Sequence, residues 1–305
     1  MIEVRQLVKS FGDVQALAGV DFTVGEGEIF GLLGPNGAGK TTTISIIAGL
    51  LEADSGAVRV SGLDNRRDGR RVREMLGVVP QDIALYEELS ARENLSFWGG
   101  LYGLRGKRLR EEADRVLELV GLADRADDPV RQYSGGMKRR LNLSAGLIHR
   151  PKVILLDEPT LGIDPQARLS ILDIIRNGVS EGMTAIYTTH YLEEAEKLCD
   201  RIAIIDHGRI LALGTLAELV KLAGEGNVVT VKGSFPKETM APFLKGVAVD
   251  HLDDGSLRMT IPGQAELSGA LGRLFSAGVS IGEVSIQEPS LEGVFIKLTG
   301  KELRD

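Results

Sequence analysis

Between Ile29 and Ile47 an apolar run, Ile29-Phe30-Gly31-Leu32-Leu33, enters the turn Gly34-Pro35-Asn36-Gly37-Ala38-Gly39-Lys40-Thr41-Thr42, and a helical run follows through Thr43, Ile44, Ile46 and Ile47. These residue types suit one chemistry. Glycines let the backbone curl so that successive N–H groups point at phosphate oxygens. A helix opening at the same spot adds partial positive charge. Lys40 brings a mobile ammonium for β- and γ-phosphates, and the Thr41 hydroxyl can ligate Mg²⁺. Gly34, Gly39, Lys40 and Thr41 fit the pattern G-x-x-x-x-G-K-[ST] in the strand–turn–helix context that makes it meaningful. The bland alternative is a glycine-rich turn with an exposed lysine. The stretch reads as a nucleoside triphosphate site.

Further along, the buried strand Val153-Ile154-Leu155-Leu156 delivers Asp157 and Glu158 to its C-terminal end. In open parallel sheets that edge is where ligands sit. Asp157 is placed to hold Mg²⁺ directly or through water, and Glu158 to orient or deprotonate an attacking water. Alone, an Asp-Glu pair after a strand is a solvated turn; the upstream phosphate loop changes its meaning. The strand Thr184 to Tyr187 leads to Thr188, Thr189 and His190 at the same edge, making His190 a candidate γ-phosphate contact. Ser134 is a good N-cap, and Gly135 and Gly136 expose amides at a second helix N-terminus. Taken alone, Ser-Gly-Gly is a capped loop. Asp164-Pro165 reads as N-cap and first residue of a helix through Leu169, Leu172 and Ile175. Phe11 by itself is a core or turn aromatic. Gln81, after Gly77-Val78-Val79-Pro80, carries no meaning in isolation. His149, His207 and His251 form no metal-ligand spacing and read as surface or loop histidines.

The elements that must position these groups follow from pattern. A chain of 305 residues holds one large α/β domain plus a smaller one. Ile2 to Val8, Val20 to Val24 and Ala57 to Val60 read as short strands. Arg66, Arg67, Arg70, Arg71 and Arg73 form a basic helical stretch, read as a solvated face, with a membrane- or partner-facing role as the alternative. From Leu85 to Gly121 the pattern is helical, with apolar spacing over Ala91 to Leu101 and Leu109 to Val120; Phe97 and Trp98 read as packing residues. The net charge of −7 gives no global reason to bind nucleic acid or an anionic membrane. Cys199 is the only cysteine, which precludes an internal disulfide and fits a reducing cytoplasm. No run approaches the roughly 18–20 apolar residues of a membrane span, and the N-terminus lacks a signal-peptide pattern. Membrane association is therefore expected through a partner.

In this order the motifs resemble the ATP-binding subunit of an ABC transporter over Met1 to about Gly224. Gly34 to Thr42 is similar to the Walker A loop, Gln81 to the Q-loop and Tyr133-Ser134-Gly135-Gly136-Met137 to the ABC signature. Val153 to Glu158 resembles Walker B, Leu161-Gly162-Ile163-Asp164 the D-loop, and His190 the switch histidine. The signature departs from the commonest Leu-Ser-Gly-Gly-Gln form at Tyr133 and Met137, with its Ser-Gly-Gly centre intact. Phe11 falls where the family carries an aromatic that stacks on adenine. Tyr133 to Arg140, Leu85 to Leu95 and Pro289 to Phe295 are similar to the corresponding stretches of the ABC-2, drug-resistance-type exporters.

The resemblance implies a P-loop NTPase core with an antiparallel β subdomain and a helical subdomain (about 85–150). It implies ATP and Mg²⁺ as cofactors. Phe11, Gly34 to Thr42 (Gly34, Pro35, Asn36, Gly37, Ala38, Gly39, Lys40, Thr41, Thr42) and Gln81 would bind ATP. Thr41, Gln81 and Asp157 would hold the metal, and Glu158 and His190 would act in hydrolysis. Ser134, Gly135 and Gly136 would act in trans on a second ATP-binding domain, with Asp164 in the D-loop. The implied partners are a second copy or a paralogue and an integral membrane permease, which would keep the chain cytoplasmic and peripheral on the inner face of the membrane. The substrate would be a drug, lipid or other amphipathic molecule, with no nucleic-acid partner. A soluble family member acting on ribosomes or nucleic acid is the alternative; two ATP-binding domains in one chain, or a long coiled-coil insertion, would mark it, and neither is present. A nucleotide-sensing switch is a third reading, requiring that Glu158 not act in hydrolysis.

Gly224-Glu225-Gly226 follows a helix over Leu216 to Leu222 and is the expected boundary to a second domain, 227–305. There Val228 to Val231, Val247 to Val249, Leu257 to Ile261 and Val279 to Ile286 read as strands around the turn Asp253-Asp254-Gly255. Pro236 to Leu244 and Ala265 to Phe275 read as helices. The order β-α-β-β-α-β is that of a ferredoxin-like α+β unit. Leu291, Val294, Phe295 and Leu298 are expected on one face of a closing helix. No catalytic constellation appears, and a regulatory or dimer-supporting role is the expectation, against a purely structural appendage.

Overall fold

The computed structural model describes residues 1–223, 227–234, 248–251, 256–261, 264–276, 280–287 and 290–299. They fall into two compact units, Met1–Thr215 and Leu216 onward.

The first unit opens with β1 (Ile2–Phe11), β2 (Val14–Val24) and β3 (Ile29–Leu33), which leads into α1 (Lys40–Ile47). Next come β4 (Ser55–Val60), β5 (Leu63–Asp64), α2 (Gly69–Met75) and β6 (Leu76–Val79). Then α3 (Ala91–Leu101), α4 (Gly106–Leu119) and α5 (Gly135–Leu147) form a helical block. β7 (Val153–Asp157), α6 (Pro165–Ser180), β8 (Thr184–Thr189), α7 (Leu192–Leu198), β9 (Arg201–Asp206) and β10 (Arg209–Gly214) complete the unit.

The strands make an antiparallel sheet of order β2-β1-β4-β5 and a six-stranded sheet of order β10-β9-β3-β8-β7-β6. In the second sheet only β10 pairs antiparallel. Every residue of β3, β7 and β8 is buried, as expected of parallel strands covered on both faces. One core cluster joins the antiparallel sheet to α1 through Leu7, Leu17, Ile44 and Ile47; the other runs under the helical block through Leu95, Leu117 and Leu141.

Sheet order positions the site. β8 lies between β3 and β7, with Leu33 opposite Thr189 and Asp157 opposite Thr188. The glycine-rich turn, the Asp157–Glu158 pair and His190 therefore emerge side by side at one sheet edge.

Several boundaries differ from the sequence reading. β1 extends through Phe11, and α4 begins at Gly106 rather than Leu109. The basic stretch is not one helix: Arg66 and Arg67 lie in the turn before α2, where their N–H groups bond Asp64 Oδ1 at 3.0 and 3.1 Å. His149 is not a surface histidine. Its ring stacks on Tyr102 with centroids 3.5 Å apart, and Nε2 lies 3.0 Å from the Leu76 carbonyl. Phe97 is 41 % exposed, whereas Trp98 packs against the core.

The second unit holds α8 (Leu216–Ala223), β11 (Asn227–Ser234), β12 (Ala248–His251), β13 (Ser256–Ile261), α9 (Gln264–Ser276), β14 (Ser280–Gln287) and α10 (Leu291–Thr299). Its sheet has the antiparallel order β12-β13-β11-β14. Leu267, Ala270 and Leu274 of α9 cluster with Val229, Val231, Leu257, Met259 and Ile261. α8 packs on α10, and Lys297 Nζ donates to the Leu222 carbonyl at 2.9 Å. That helix therefore groups with the second unit rather than ending the first. Leu291, Val294 and Phe295 are buried, but Leu298 is exposed. His251 sits in strand β12 rather than a loop. The helix expected over 236–244 and the turn at 253–255 lie outside the described residues. No helix among the described residues is long and apolar enough to cross a membrane.

Candidate nucleotide site

A cavity of about 580 Å³ lies at the end of β3 and is lined by Phe11, Asn36, Gly37, Gly39, Lys40, Thr41, Thr42, Gln81, Glu158 and His190, with Ala16, Leu161 and Tyr191. Ten residues named from the sequence thus meet in one place. Two glycines of the turn are required by geometry. A Cβ on Gly34 would lie 2.2 Å from the Ile205 carbonyl oxygen. Gly39 has φ +107°, and a Cβ there would approach the Ala16 carbonyl to 2.7 Å. Gly39 also caps α1 without a side-chain bond, so the amides of the first helical turn remain for an anion.

Lys40 is 5 % exposed. Its Nζ donates to the Gly34 carbonyl at 2.7 Å and the Pro35 carbonyl at 3.1 Å, and lies 2.9 Å from Glu158 Oε1. Glu158 Oε2 lies 3.1 Å from His190 Nδ1. Burial pushes the Glu158 pKa up, but the bonds from His190 and Lys40 outweigh it and hold the carboxyl down at about 2. Glu158 also has φ +44°, a left-handed backbone that a bulky residue adopts only when its surroundings fix it.

Behind this layer, Asp157 Oδ1 accepts the Thr188 hydroxyl at 2.7 Å, and the same Thr188 oxygen accepts the Glu158 N–H at 3.0 Å. Asp157 is buried and does not line the cavity. Thr41 and Gln81 line the cavity with oxygen donors, and Asp157 would add one carboxylate from behind it. That set fits Mg²⁺, which takes one or two carboxylates and completes its shell with phosphate oxygens and water.

Ser134, Gly135, Gly136 and Asp164 stand apart from the cavity lining. Ser134 caps α5, its Oγ accepting the Met137 N–H at 3.3 Å, and is exposed like Gly135. Gly136 is buried, with a Cβ there falling 2.9 Å from Ala167 Cβ. Asp164 caps α6 through bonds from Gln166 and Ala167 at 3.1 and 2.9 Å. Pro35 and Ala38 belong to the turn without facing the cavity.

Three residues that sequence reasoning passed over hold the site together. Arg139 donates to the Gln81 carbonyl, tying α5 to the segment after β6. Asn142 strengthens that tie, accepting the Ala84 N–H at 3.1 Å and donating to the Pro80 carbonyl at 3.3 Å. Glu194, 2 % exposed, accepts the hydroxyls of Thr160, Tyr187 and Thr189, each at 2.7 Å. Arg168 Nε lies 3.3 Å from the same carboxylate.

A family profile described as "ABC transporter" matches residues 17–161. The chain is 41 % identical to the linearmycin resistance ATP-binding protein LnrL of Bacillus subtilis (strain 168), over 100 % of both chains. It is 43 % identical to the daunorubicin resistance ATP-binding protein DrrA3 of Streptomyces coeruleorubidus, over 97 % of this chain and 95 % of that one. It is 38 % identical to the Nod factor export ATP-binding protein I of Rhizobium sp. (strain N33), over 99 % and 98 %. Among solved structures, an ATP-binding subunit of an ABC transporter superposes with a TM-score of 0.66 at 32 % identity, over 72 % of this chain and 92 % of that one. A dimeric post-hydrolysis state of the ATP-binding cassette MJ0796, bound to ADP and Pi, superposes with a TM-score of 0.64 at 26 % identity, over 70 % and 98 %. The phosphate cradle, the acid pair and these likenesses agree: the chain belongs to the ABC transporter family, as an ATP-binding and ATP-hydrolysing subunit of the ABC-2 exporter group.

Proposed function

We propose that this ATPase powers export of an amphipathic molecule by closing head to tail on a second copy or a paralogue beneath a separate membrane permease. One observation carries the pairing. Lys40, Glu158, His190 and Gln81 share one cavity, whereas Ser134 and Gly135 are exposed elsewhere on the same unit. Their amides and the Ser134 hydroxyl suit the γ-phosphate held by another subunit. In the closed pair Lys40 neutralises phosphate charge, Glu158 orients the attacking water, and His190 holds Glu158 and the γ-phosphate in register. Mg²⁺, when bound, neutralises charge developing on the phosphates.

Coupling to the permease would run through α5. Its Arg139 and Asn142 hold the backbone of Gln81, Pro80 and Ala84. An apolar cavity of about 280 Å³ adjoins that segment, with Leu50, Trp98 and Tyr102 in its wall. Leu50 there is 72 % exposed. A permease segment seated on this surface would move with the helical block as the pair closes and opens. The names of the relatives, which concern resistance to linearmycin and daunorubicin and export of Nod factor, support export as the direction of transport. The chain would then be peripheral on the cytoplasmic face of the membrane.

The test is copurification in detergent with an integral membrane protein, followed by ATP-driven export from vesicles containing both. Cosedimentation with ribosomes and no membrane partner would replace this reading.

A further inference from the structure

A second cavity, of about 620 Å³, opens where the antiparallel sheet meets the end of α1 and the turn before α2. It shares no lining residue with the nucleotide site. Arg66, Arg67, Arg70 and Arg73 line it, against two carboxylates, Glu52 and Asp64. Asp64 accepts the backbone N–H groups of Arg66 and Arg67 and also feels the Arg67 charge, without a close guanidinium ion pair to either residue. Arg66 donates to the Ala53 carbonyl. Arg70 reaches Glu74 at 3.3 Å with its side chain 91 % exposed, a contact of little energetic weight. Arg73 makes no ion pair with any described residue.

The inner wall adds a second feature. Asn65 Nδ2 donates to the Ile46 carbonyl at 2.6 Å, but Asn65 Oδ1 is buried without a partner. A Cβ on Gly49 would lie 3.3 Å from that oxygen and 3.4 Å from Arg73 Nη1. An acceptor lacking a donor and a guanidinium lacking an anion therefore meet over bare backbone. Leaving such an acceptor unmade is costly, and a guanidinium fork favours phosphate oxygens. A ligand carrying both a phosphate and a hydroxyl satisfies the two together. In a chain of net charge −7, general electrostatic attraction does not supply such a site.

We propose that this arginine-lined cavity binds a phosphate ester that carries free hydroxyls: the glycerophosphate headgroup of an anionic phospholipid, or soluble glycerol phosphate. The lipid source rests on the permease reading above, because Arg73 also forms part of the wall of the apolar cavity beside Leu50. A headgroup bound there would fix this face against the bilayer surface.

The test uses the full chain with two probes: flotation on phosphatidylcholine vesicles with and without phosphatidylglycerol, and thermal shift with glycerol 3-phosphate. The variant Arg67→Ala/Arg73→Ala should weaken binding by about ten- to a hundredfold. Arg71→Ala is the control: it removes a like charge from the same helix but does not line the cavity. Vesicle capture without a shift by glycerol 3-phosphate identifies the lipid source; the converse identifies the soluble ester. Binding of neither probe overturns the proposal, as does an equal loss in Arg71→Ala. Both variants should keep wild-type ATPase activity and melting temperature. Headgroup binding by a chain that never copurifies with a membrane protein would defeat the permease reading and leave this site standing.

Discussion

Lys40 Nζ and Glu158 Oε1 lie 2.9 Å apart, in an ion pair whose side chains are 5 % and 6 % exposed. The cation proposed to hold phosphate and the carboxylate proposed to orient water neutralise each other. A carboxyl held at about 2 by this pair and by His190 is a weak base. In the proposed mechanism, transfer of the ammonium to an incoming phosphate would release Glu158 Oε1 and raise its proton affinity.

Glu158→Gln removes the charge that holds Lys40 back. ATP binding should be as tight as in the wild type or tighter, while turnover falls roughly 10²–10⁴-fold. ATP-bound dimers should accumulate on gel filtration. Phosphate release at the wild-type rate would mean that another residue positions the water.

The exposed Ser134 gives a test of composite sites. Ser134→Arg should suppress hydrolysis while the monomer still binds ATP. Lys40→Ala should weaken ATP binding by about ten- to a hundredfold. Mixing the two variants should restore one complete site per heterodimer and partial ATPase activity. Dimers that form but stay inactive at every mixing ratio would argue against the head-to-tail arrangement.

Glu194 anchors the strand end that carries His190, through the hydroxyls of Thr160, Tyr187 and Thr189. Glu194→Ala leaves the buried Thr189 hydroxyl without its acceptor and the Thr160 and Tyr187 hydroxyls with only each other, 3.2 Å apart, and should cost about 1–3 kcal/mol in urea denaturation. Glu194→Gln keeps an acceptor and should cost less. Equal stability of all three proteins would remove Glu194 from the framework of the site.

The contrast between Glu194 and Lys40 marks what was legible in the sequence. Lys40 stands in a local pattern where strand, glycines and helix are contiguous, so its place could be read directly. That the strands before Asp157 and His190 end at one sheet edge was legible too, because each apolar run leads directly into its polar residues; their spatial order was not. Glu194 sits in Glu193-Glu194-Ala195-Glu196, which resembles any solvated helix face. Only the fold brings Thr160, Arg168, Tyr187 and Thr189 around it. Arg139 and Asn142 were hidden likewise, because their partners at Gln81, Pro80 and Ala84 are backbone atoms, which sequence pattern does not mark.

His149 was misread because a lone histidine gives no sign of its packing. Burial lowers its pKa to about 4, against a smaller opposing effect of the Leu76 carbonyl. The folded pKa is therefore below the unfolded value of about 6.5. Stability from this group is complete above about 6.5 and is lost as pH falls towards 4, because the unfolded chain takes up the proton first. Between pH 7 and 5 the loss should be about 2 kcal/mol. His149→Phe keeps a ring against Tyr102 and should lose about that much less stability over the same interval in denaturant titrations. Parallel pH profiles for the two proteins would show that His149 titrates normally.

The second unit supplies the last test. We propose that it supports pairing of the ATPase units, and its boundary decides how to remove it. The sequence break at Gly224-Glu225-Gly226 invites truncation after Gly226, but α8 packs on α10 and its Leu222 carbonyl accepts the Lys297 ammonium. Leu219 is 1 % exposed. Cutting after Gly226 would strip α8 of α10 and uncover that apolar face, inviting aggregation. Cutting after Thr215 removes both helices together and should leave a soluble chain that binds ATP with unchanged affinity. In the Glu158→Gln background, ATP-induced dimers of this shorter chain should dissociate at lower dilution factors than those of the full chain, read by concentration-dependent gel filtration. Identical dimer dissociation, together with identical ATPase rates in the presence of the permease, would reduce the second unit to a structural appendage.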